Sequence, residues 1–265
     1  AMDVDLTLAK ARRNSLKEDD NKDVFLVCIF KMGEANQEEA AKFLEDFVAT
    51  MRLRGGKVQL RSRRPQLWNV VEGLDHHVEP NHLNPATFDF NAIVIAGFTS
   101  TMDVHAWWNS NEVFELLKWR SSMEKIGIFT FDGIGPACDF TDRQRMTFGN
   151  KTLFVELLQM QSFKPMQQYV DDYKRFAGVG STDVAKAKVH LLFAEGASGV
   201  LMNEYPLDLA CASTWKNKLE AQGWYDSGTY QNSLLPLRAQ YSRSLVMILP
   251  VCDEEYDRHE AKGSR

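Results

Sequence analysis

The sequence has no long apolar run, no paired cysteine spacing and no excess of positive charge. Its longest apolar runs, near residues 24–30 and 244–251, have the length of strands and fall far short of the roughly 18–20 residues of a membrane span. The net charge of −5 gives no basic field for nucleic acid or for an anionic membrane surface. We therefore expect a globular protein with neither of these partners.

The four cysteines are scattered, and none belongs to a CxxC pair. Cys28, Cys211 and Cys252 stand inside strand-like runs, whereas Cys138 does not. Isolated cysteines in apolar runs are typical of small buried side chains in a reducing compartment. The sequence therefore favours a cytoplasmic location and argues against a disulfide framework.

Several motifs with a defined chemistry are also missing. No GxGxxG follows a strand, no GxxxxGK[ST] is present, and no GxSxG elbow occurs. The basic cluster at residues 61–64 has no aromatic stacking platform beside it, which favours a solvated strand edge. No cofactor is implied.

The apolar periodicity places the same order of elements in both halves of the chain. The first half reads as strand 24–31, helix 37–54, strands 57–62, 67–73 and 90–98, a helical stretch 101–120 interrupted near 109–110, and strand 125–131. The second half reads as strand 152–160, helix 164–176, strands 188–195, 200–205 and 207–212, helix 213–223, a helical piece within 224–238, and strand 244–251. Each half thus contains the β-α-β-β-α-β order of ferredoxin-like α+β folds, with one further short strand between its helical segments.

The two halves also share sequence letters. WWNSNEVFELLKWR at residues 107–120 matches WYDSGTYQNSLLPLR at 224–238, which is one residue longer. This match predicts two repeats, at 24–134 and 152–252, with a linker at 135–151 and tails at 1–23 and 253–265.

A family resemblance rests on Gly55-Gly56-Lys57, Glu72-Gly73, Ala96-Gly97-Phe98 and the repeated W-[WY]-[ND]-S block. These segments resemble the DUF1330 family of the dimeric α+β barrel superfamily. The second half lacks the Gly-Gly-Lys stop, and the first has Trp108 and Asn109 where the family block has Tyr and Asp.

The resemblance implies a barrel made from two four-stranded sheets, which family members obtain by pairing two subunits. A tandem chain can supply both sheets itself and so leave no sheet edge open. We therefore expect an intrachain pseudo-dimeric barrel, either as a monomer or within a homodimer.

The repeated aromatic block supplies the candidate ligand-binding residues. Trp and Tyr rings suit an apolar cavity, and an arginine offers a fixed cation for an anionic or enolate-like ligand. An alternative is that the Asn or Asp and the Ser cap a short helix while the rings pack on the sheet. The candidates are Trp108, Arg120, Tyr225, Tyr230 and Arg238.

Three polar residues in apolar strands of the second half are the candidate catalytic groups. His190, Glu156 and Asp208 can converge on one barrel interior, where a histidine serves as a base and burial tunes a carboxylate. They can equally point outward or form a structural network. The comparable strand residues of the first half offer no base, so the first half can serve as a structural partner alone, and which half carries the site stays open.

A histidine cluster, His76, His77 and His82, offers a weaker alternative. Its spacing matches no strong zinc signature and brings no cysteine, so we predict no metal site there.

These observations favour a barrel that binds an apolar or aromatic small molecule. By analogy with the superfamily, it would be a cofactor-independent oxygenase, isomerase or cyclase. The alternative is a non-catalytic interaction module with a barrel filled by side chains. Whether the chain is an enzyme stays open at this point.

Overall fold

A computed structural model describes residues 23–33, 37–63, 68–72, 88–118, 123–134, 152–177 and 190–251. In the first half the elements are β1 (Val24–Met32), α1 (Gln37–Leu53), β2 (Lys57–Ser62), β3 (Asn69–Glu72), β4 (Ala92–Phe98), α2 (Thr101–Trp108), α3 (Asn111–Leu117) and β5 (Met123–Asp132). These bounds follow the predicted order closely. The predicted interruption near residues 109–110 is the break between α2 and α3.

The second half repeats that order with one addition. Its elements are β6 (Thr152–Met160), α4 (Phe163–Ala177), β7 (His190–Gly196), β8 (Gly199–Asn203), β9 (Leu209–Trp215), α5 (Lys218–Tyr225), a π-helical turn (Tyr230–Leu234), α6 (Leu235–Tyr241) and β10 (Ser242–Pro250). The predicted helix at 213–223 is wrong at its start. The strand β9 continues to Trp215, and α5 begins after the Asn217 side chain accepts from the Glu220 N–H at 2.9 Å.

The strands form two five-stranded antiparallel sheets, and each sheet takes one strand from the other half. The first sheet has the order β2-β4-β1-β5-β8 and the second has the order β3-β10-β6-β9-β7. The edge strands β8 and β3 have therefore exchanged places between the halves. This exchange ties the halves together and covers a sheet edge that each half would otherwise expose.

Apolar side chains of both sheets meet in a single shared core. The inner cluster takes Phe25, Val27 and Ile29 from β1 and Leu153, Val155 and Leu157 from β6, alternate residues along each strand. Phe193 on β7 stacks on Phe131 of β5 at 5.3 Å between ring centroids. The space between the sheets is thus lined and packed by aromatic and aliphatic side chains.

The opposite face of each sheet is covered by helices. The even-numbered residues of β1 pack against α1, α2 and α3, and the even-numbered residues of β6 pack against α4, α5 and the π-helical turn. The fold is therefore an α+β barrel of two ferredoxin-like units in one chain, as the sequence predicts. The division into domains and an origin by duplication stay predictions.

The turn that ends α1 leads to a prediction on stability. Gly55 has φ +83°, and a Cβ on Gly56 would lie 2.7 Å from Phe98 Cζ and 2.9 Å from the Met51 carbonyl oxygen. We expect Gly56→Ala to lower the free energy of unfolding by about 1–3 kcal/mol, since the backbone cannot move aside without strain. Urea unfolding measures this difference.

Gly223 supplies the matched control. It lies in α5, and a Cβ there would meet nothing within 4 Å. Gly223→Ala should raise the free energy of unfolding by about 0.5–1 kcal/mol, because alanine is the better helix former. Equal effects at the two glycines would contradict the steric explanation.

Candidate functional site

Glu156 is completely buried in the middle of β6, on the face that the helices cover. Its strand neighbours are Cys211 on β9 and Val246 on β10. Val155 and Leu157, on either side of it, point into the barrel. Glu156 was expected to reach the barrel interior, and the structure corrects this, because the alternation of β6 directs it into the helix layer.

Two tyrosines donate hydrogen bonds to this buried carboxylate. The Tyr230 hydroxyl donates to Oε1 at 2.6 Å, and the Tyr169 hydroxyl donates to Oε2. Both rings are buried. A carboxylate held between two phenols keeps hydrogen bonds that it would otherwise lose on leaving water.

The π-helical turn brings Tyr230 to this position. The Ser227 hydroxyl accepts from the Tyr230 N–H at 3.2 Å, and the Leu235 N–H donates to the Tyr230 carbonyl five residues earlier. Such a turn takes up one more residue than an α-helical turn. The block at 224–238 is one residue longer than its counterpart at 107–120, so a π-helical turn is where the extra residue fits.

Arg238 is also completely buried beside these groups. One guanidinium nitrogen donates to the Ser244 hydroxyl at 2.8 Å, and the guanidinium lies 5.7 Å from the centroid of the Tyr230 ring. A buried cation is costly without a nearby negative charge. We call Glu156, Tyr169, Tyr230 and Arg238 the Glu156 cluster.

The buried tyrosines keep their protons. Burial raises the pKa of Tyr169 well above its usual value of 10.0, and the negative charge of Glu156 raises it further. Burial likewise raises the pKa of Tyr230, although the nearby Arg238 charge opposes the shift. Both hydroxyls are therefore donors at neutral pH, and Glu156 is the acceptor between them.

These shifts predict how stability depends on pH. A raised pKa in the folded state means that the unfolded chain loses its tyrosine protons first, near pH 10. The free energy of unfolding should be unaffected by these tyrosines below about pH 10. Above it, we expect a loss of about 1.4 kcal/mol per pH unit for each buried tyrosine. Urea unfolding at a series of alkaline pH values measures the slope.

A single substitution controls for other alkaline effects. Tyr230→Phe removes one of the buried titrating groups and should make the slope shallower. If all seven tyrosines of the folded protein formed phenolate near pH 10, the proposed burial effect would be wrong.

The first half has apolar residues at the positions that match Glu156, Tyr169 and Tyr230. Cys28 lies opposite Val94 and Ile128 as Glu156 lies opposite Cys211 and Val246. Val113 follows its capping serine, Ser110, by three residues, as Tyr230 follows Ser227. Phe43 precedes Phe47 by one helical turn, as Tyr169 precedes Tyr173. This layer of the first half thus has neither the carboxylate nor the two phenols, while Arg120, which matches Arg238, lies outside the described residues.

The structure distributes the other predicted residues widely. Asp208 is exposed just before β9, where its carboxylate accepts from the Met160 N–H at 2.9 Å, so it serves the end of β6 and not the cluster. His190 is the first residue of β7, in register with Thr214. The predicted convergence of Glu156, His190 and Asp208 stays unsupported, because Asp208 lies at the surface.

The two remaining aromatic candidates, Tyr225 and Trp108, lie in the two helix layers, one in each. Tyr225 is half-buried and its ring is 5.1 Å from that of Tyr230, next to the cluster. Trp108 is half-buried in the first half, 5.9 Å from Trp107. Arg120 and the histidines at 76, 77 and 82 lie outside the described residues.

Two residues of this layer, Tyr169 and Tyr173, were missed from the sequence. They stand four residues apart on the buried face of α4, where the apolar pattern reads them as ordinary core positions. Aligning α4 with α1 would have shown a Phe-to-Tyr change at both sites.

No three His, Cys, Asp or Glu side chains within the described ranges are grouped so that they could hold a metal ion. In the same part of the chain, no helix has both the length and the apolar character needed to cross a membrane.

No protein-family model matches the sequence, and no curated protein matches it either. Among solved structures, the chain is similar to a candidate monooxygenase from Fusobacterium nucleatum, with a TM-score of 0.50 and 8% identity over 86% of this chain and 94% of that one. A candidate monooxygenase from Lactobacillus acidophilus has a TM-score of 0.49 at 8% identity, covering 87% and 97% of the two chains. An anthrone oxidase-like protein has a TM-score of 0.49 at 12% identity, covering 87% and 92%.

The first of these likenesses supports the α+β barrel fold and extends over both halves, since it covers 86% of the chain. At such low identity it shows the fold alone.

Proposed function

We propose that this protein binds a small apolar or aromatic molecule in the helix layer of its second sheet, and that the Glu156 cluster carries out acid–base chemistry on it. The observation that carries the proposal is the contrast between the halves. One half builds this layer with Cys28, Phe43 and Val113, and the other places a carboxylate and two phenols there.

Stability alone does not explain why the helix layer of the second half contains the polar Glu156 cluster. Burying a carboxylate costs more than packing an apolar residue of similar volume, and replacing buried charged groups by apolar ones is often neutral or stabilising. The first half supplies an apolar solution for the same layer. A costly network retained at one of two equivalent sites favours a functional role.

The chemistry follows from the protonation states. Glu156 can accept a proton, and Tyr230 can donate one to an oxygen on which negative charge develops. The buried Arg238 charge stabilises an enolate-like anion nearby. This set suits proton abstraction next to a carbonyl, the first step of many cofactor-independent isomerisations, cyclisations and oxygenations.

The proposed ligand lies in the helix layer and not in the barrel interior. That interior is packed by Phe25, Phe129, Phe131 and Phe193, so a ligand there would have to displace several rings. Tyr225, Leu235 and Tyr241 are partly buried on the helix side, and we propose that the ligand enters there.

The test uses acetophenone, an aromatic ketone whose methyl protons can be abstracted. In deuterium oxide the protein should catalyse exchange of those protons, followed by nuclear magnetic resonance, and Glu156→Gln should abolish it. Tyr230→Phe should slow the exchange by about 10²-fold or more, as for loss of a general acid.

Tyr205→Phe is the matched control, because Tyr205 is buried in the barrel core and donates to the Asp89 carbonyl at 2.9 Å, away from the cluster. Exchange at the uncatalysed rate, or equal rates in the wild-type protein and Glu156→Gln, would refute the proposal.

The finer identification belongs to the same proposal. We also propose that the chain belongs to the DUF1330 family and is cytoplasmic. We propose a monomer as well, because one chain supplies every strand of both sheets. Sedimentation velocity should give a single species near 30.2 kDa.

A further inference from the structure

Two buried donors beside the Glu156 cluster have no hydrogen-bond partner among the described residues. They are the Tyr173 hydroxyl and the Trp224 indole N–H. Tyr173 is fully buried and Trp224 is 7% exposed. Their rings meet edge to face, 6.3 Å between centroids at 89°. A buried donor without an acceptor lowers the stability of the fold, so two such donors on rings in contact point to a role other than stability.

The first half satisfies the equivalent groups. Trp107 packs edge to face on Phe47, which has no hydroxyl, and its indole N–H donates to the Thr50 hydroxyl at 3.0 Å. In the second half Tyr173 occupies the place of Phe47, and Phe176 stands three residues beyond it, as Thr50 stands three beyond Phe47. Compared with the first half, the second half therefore has an additional donor, the Tyr173 hydroxyl, and it lacks a hydroxyl acceptor for the Trp224 indole N–H.

Both groups are hydrogen-bond donors and would be satisfied by an acceptor atom. An indole N–H can only donate. Burial raises the pKa of Tyr173 well above its usual value, and the charge of Glu156 raises it further, although the Ser213 hydroxyl opposes the shift, so the Tyr173 hydroxyl stays protonated. An oxygen atom placed within reach of both groups would receive up to two hydrogen bonds.

The negative charge of Glu156 favours a neutral oxygen over a negatively charged one as the acceptor. Tyr173 lies one helical turn from Tyr169, which donates to Glu156, and the two rings are 5.9 Å apart. A second negative group beside the cluster would be repelled by the buried carboxylate. A neutral carbonyl oxygen meets no such repulsion, and Trp215, stacked on Trp224 at 6.0 Å, adds an aromatic wall.

We propose that Tyr173 and Trp224 form a subsite for the neutral carbonyl oxygen of an aromatic ligand, which rests on the function proposed above and names its substrate class. The subsite holds the carbonyl next to Glu156, so that the adjacent C–H bond lies near the carboxylate. The negative charge that forms on the carbonyl oxygen when the proton leaves is then met by two hydrogen-bond donors.

The test compares two aromatic probes of nearly the same shape. Acetophenone has a carbonyl oxygen where α-methylstyrene has a methylene group. Calorimetric titration of the whole protein should show acetophenone binding about tenfold or more tightly, and Tyr173→Phe should remove that preference without weakening α-methylstyrene. The carbonyl stretching frequency of bound acetophenone should be lowered in the wild type and less so in the variant.

Folding is controlled within the same experiment. Tyr173→Phe restores the residue type of the first half and removes a donor without a partner, so its thermal midpoint should not fall. Phe47→Tyr is the matched variant in the first half, and it should leave both probe affinities unchanged.

The outcomes separate the two proposals. Equal binding of both probes, still weakened by Tyr230→Phe, overturns the carbonyl subsite and leaves the proposed function standing. An acetophenone affinity that survives both Tyr173→Phe and Trp224→Phe also overturns the subsite. Binding of neither probe by the wild type overturns the proposed function together with the subsite.

Discussion

Replacing Glu156 by leucine should lower the free energy of unfolding by about 3–5 kcal/mol, although leucine suits a buried strand position. The substitution removes the acceptor of two phenols and the negative charge of the cluster that contains the buried Arg238 guanidinium. Removing one member of a buried charge pair costs more than removing both. Equilibrium unfolding in urea, with circular dichroism as the readout, measures the loss.

The double variant Glu156→Leu/Arg238→Met tests this explanation. It should be more stable than either single variant, because neither buried charge then remains uncompensated. Glu195→Leu is the control at a half-exposed ion pair with Lys174, where we expect a change below about 1 kcal/mol. Additive losses in the double variant would show that Glu156 and Arg238 do not depend on each other.

Phe193→Ala should destabilise the protein by about 3–5 kcal/mol, the cost of a large cavity at a site that cannot collapse. Phe193 projects from the second sheet between Phe25 and Phe131 of the first, with ring centroids 5.3 Å away in each case. The cavity would therefore lie at the contact between the two halves. Thermal unfolding followed by near-ultraviolet circular dichroism should report the change.

Phe114→Ala gives the comparison for a phenylalanine outside the core. Its side chain is 65% exposed on α3, so we expect a change within about 0.5 kcal/mol. If Phe193→Ala produced two separate unfolding transitions, the halves would be cooperative only through this contact. If it cost no more than Phe114→Ala, the packed interior would not hold the sheets together.

Much of the element order could be predicted because it follows from local periodicity. The strand β6 (Thr152–Met160) was predicted with the same bounds as the structure gives it, since a continuous apolar run between polar turns has few alternatives. The start of α5 could not be predicted. Residues 213–215 suit a helix or a strand, and only their pairing with β6 and β7 makes them part of β9.

The candidate site was predicted in its members more than in its arrangement. Glu156 is a candidate because a carboxylate in an apolar strand is unusual. Tyr230 and Arg238 are candidates because they belong to the repeated aromatic block. Their grouping around one carboxylate depends on which face of β6 looks toward the helices and on the π-helical turn. Asp208 was included wrongly with them, because a residue just outside a strand has the same local sequence signal as one inside it.

The order of elements in the two ferredoxin-like units can be predicted from the amino-acid letters, because a hydrophobic period of 3.6 or 2 is a local property of the chain. The exchange of β3 and β8 between the sheets, the packing of the space between the sheets and the direction of Glu156 toward the helices emerge only in the folded structure. Strand exchange and facing depend on contacts between residues far apart in the chain, and burial of a charge becomes visible only when those contacts are formed.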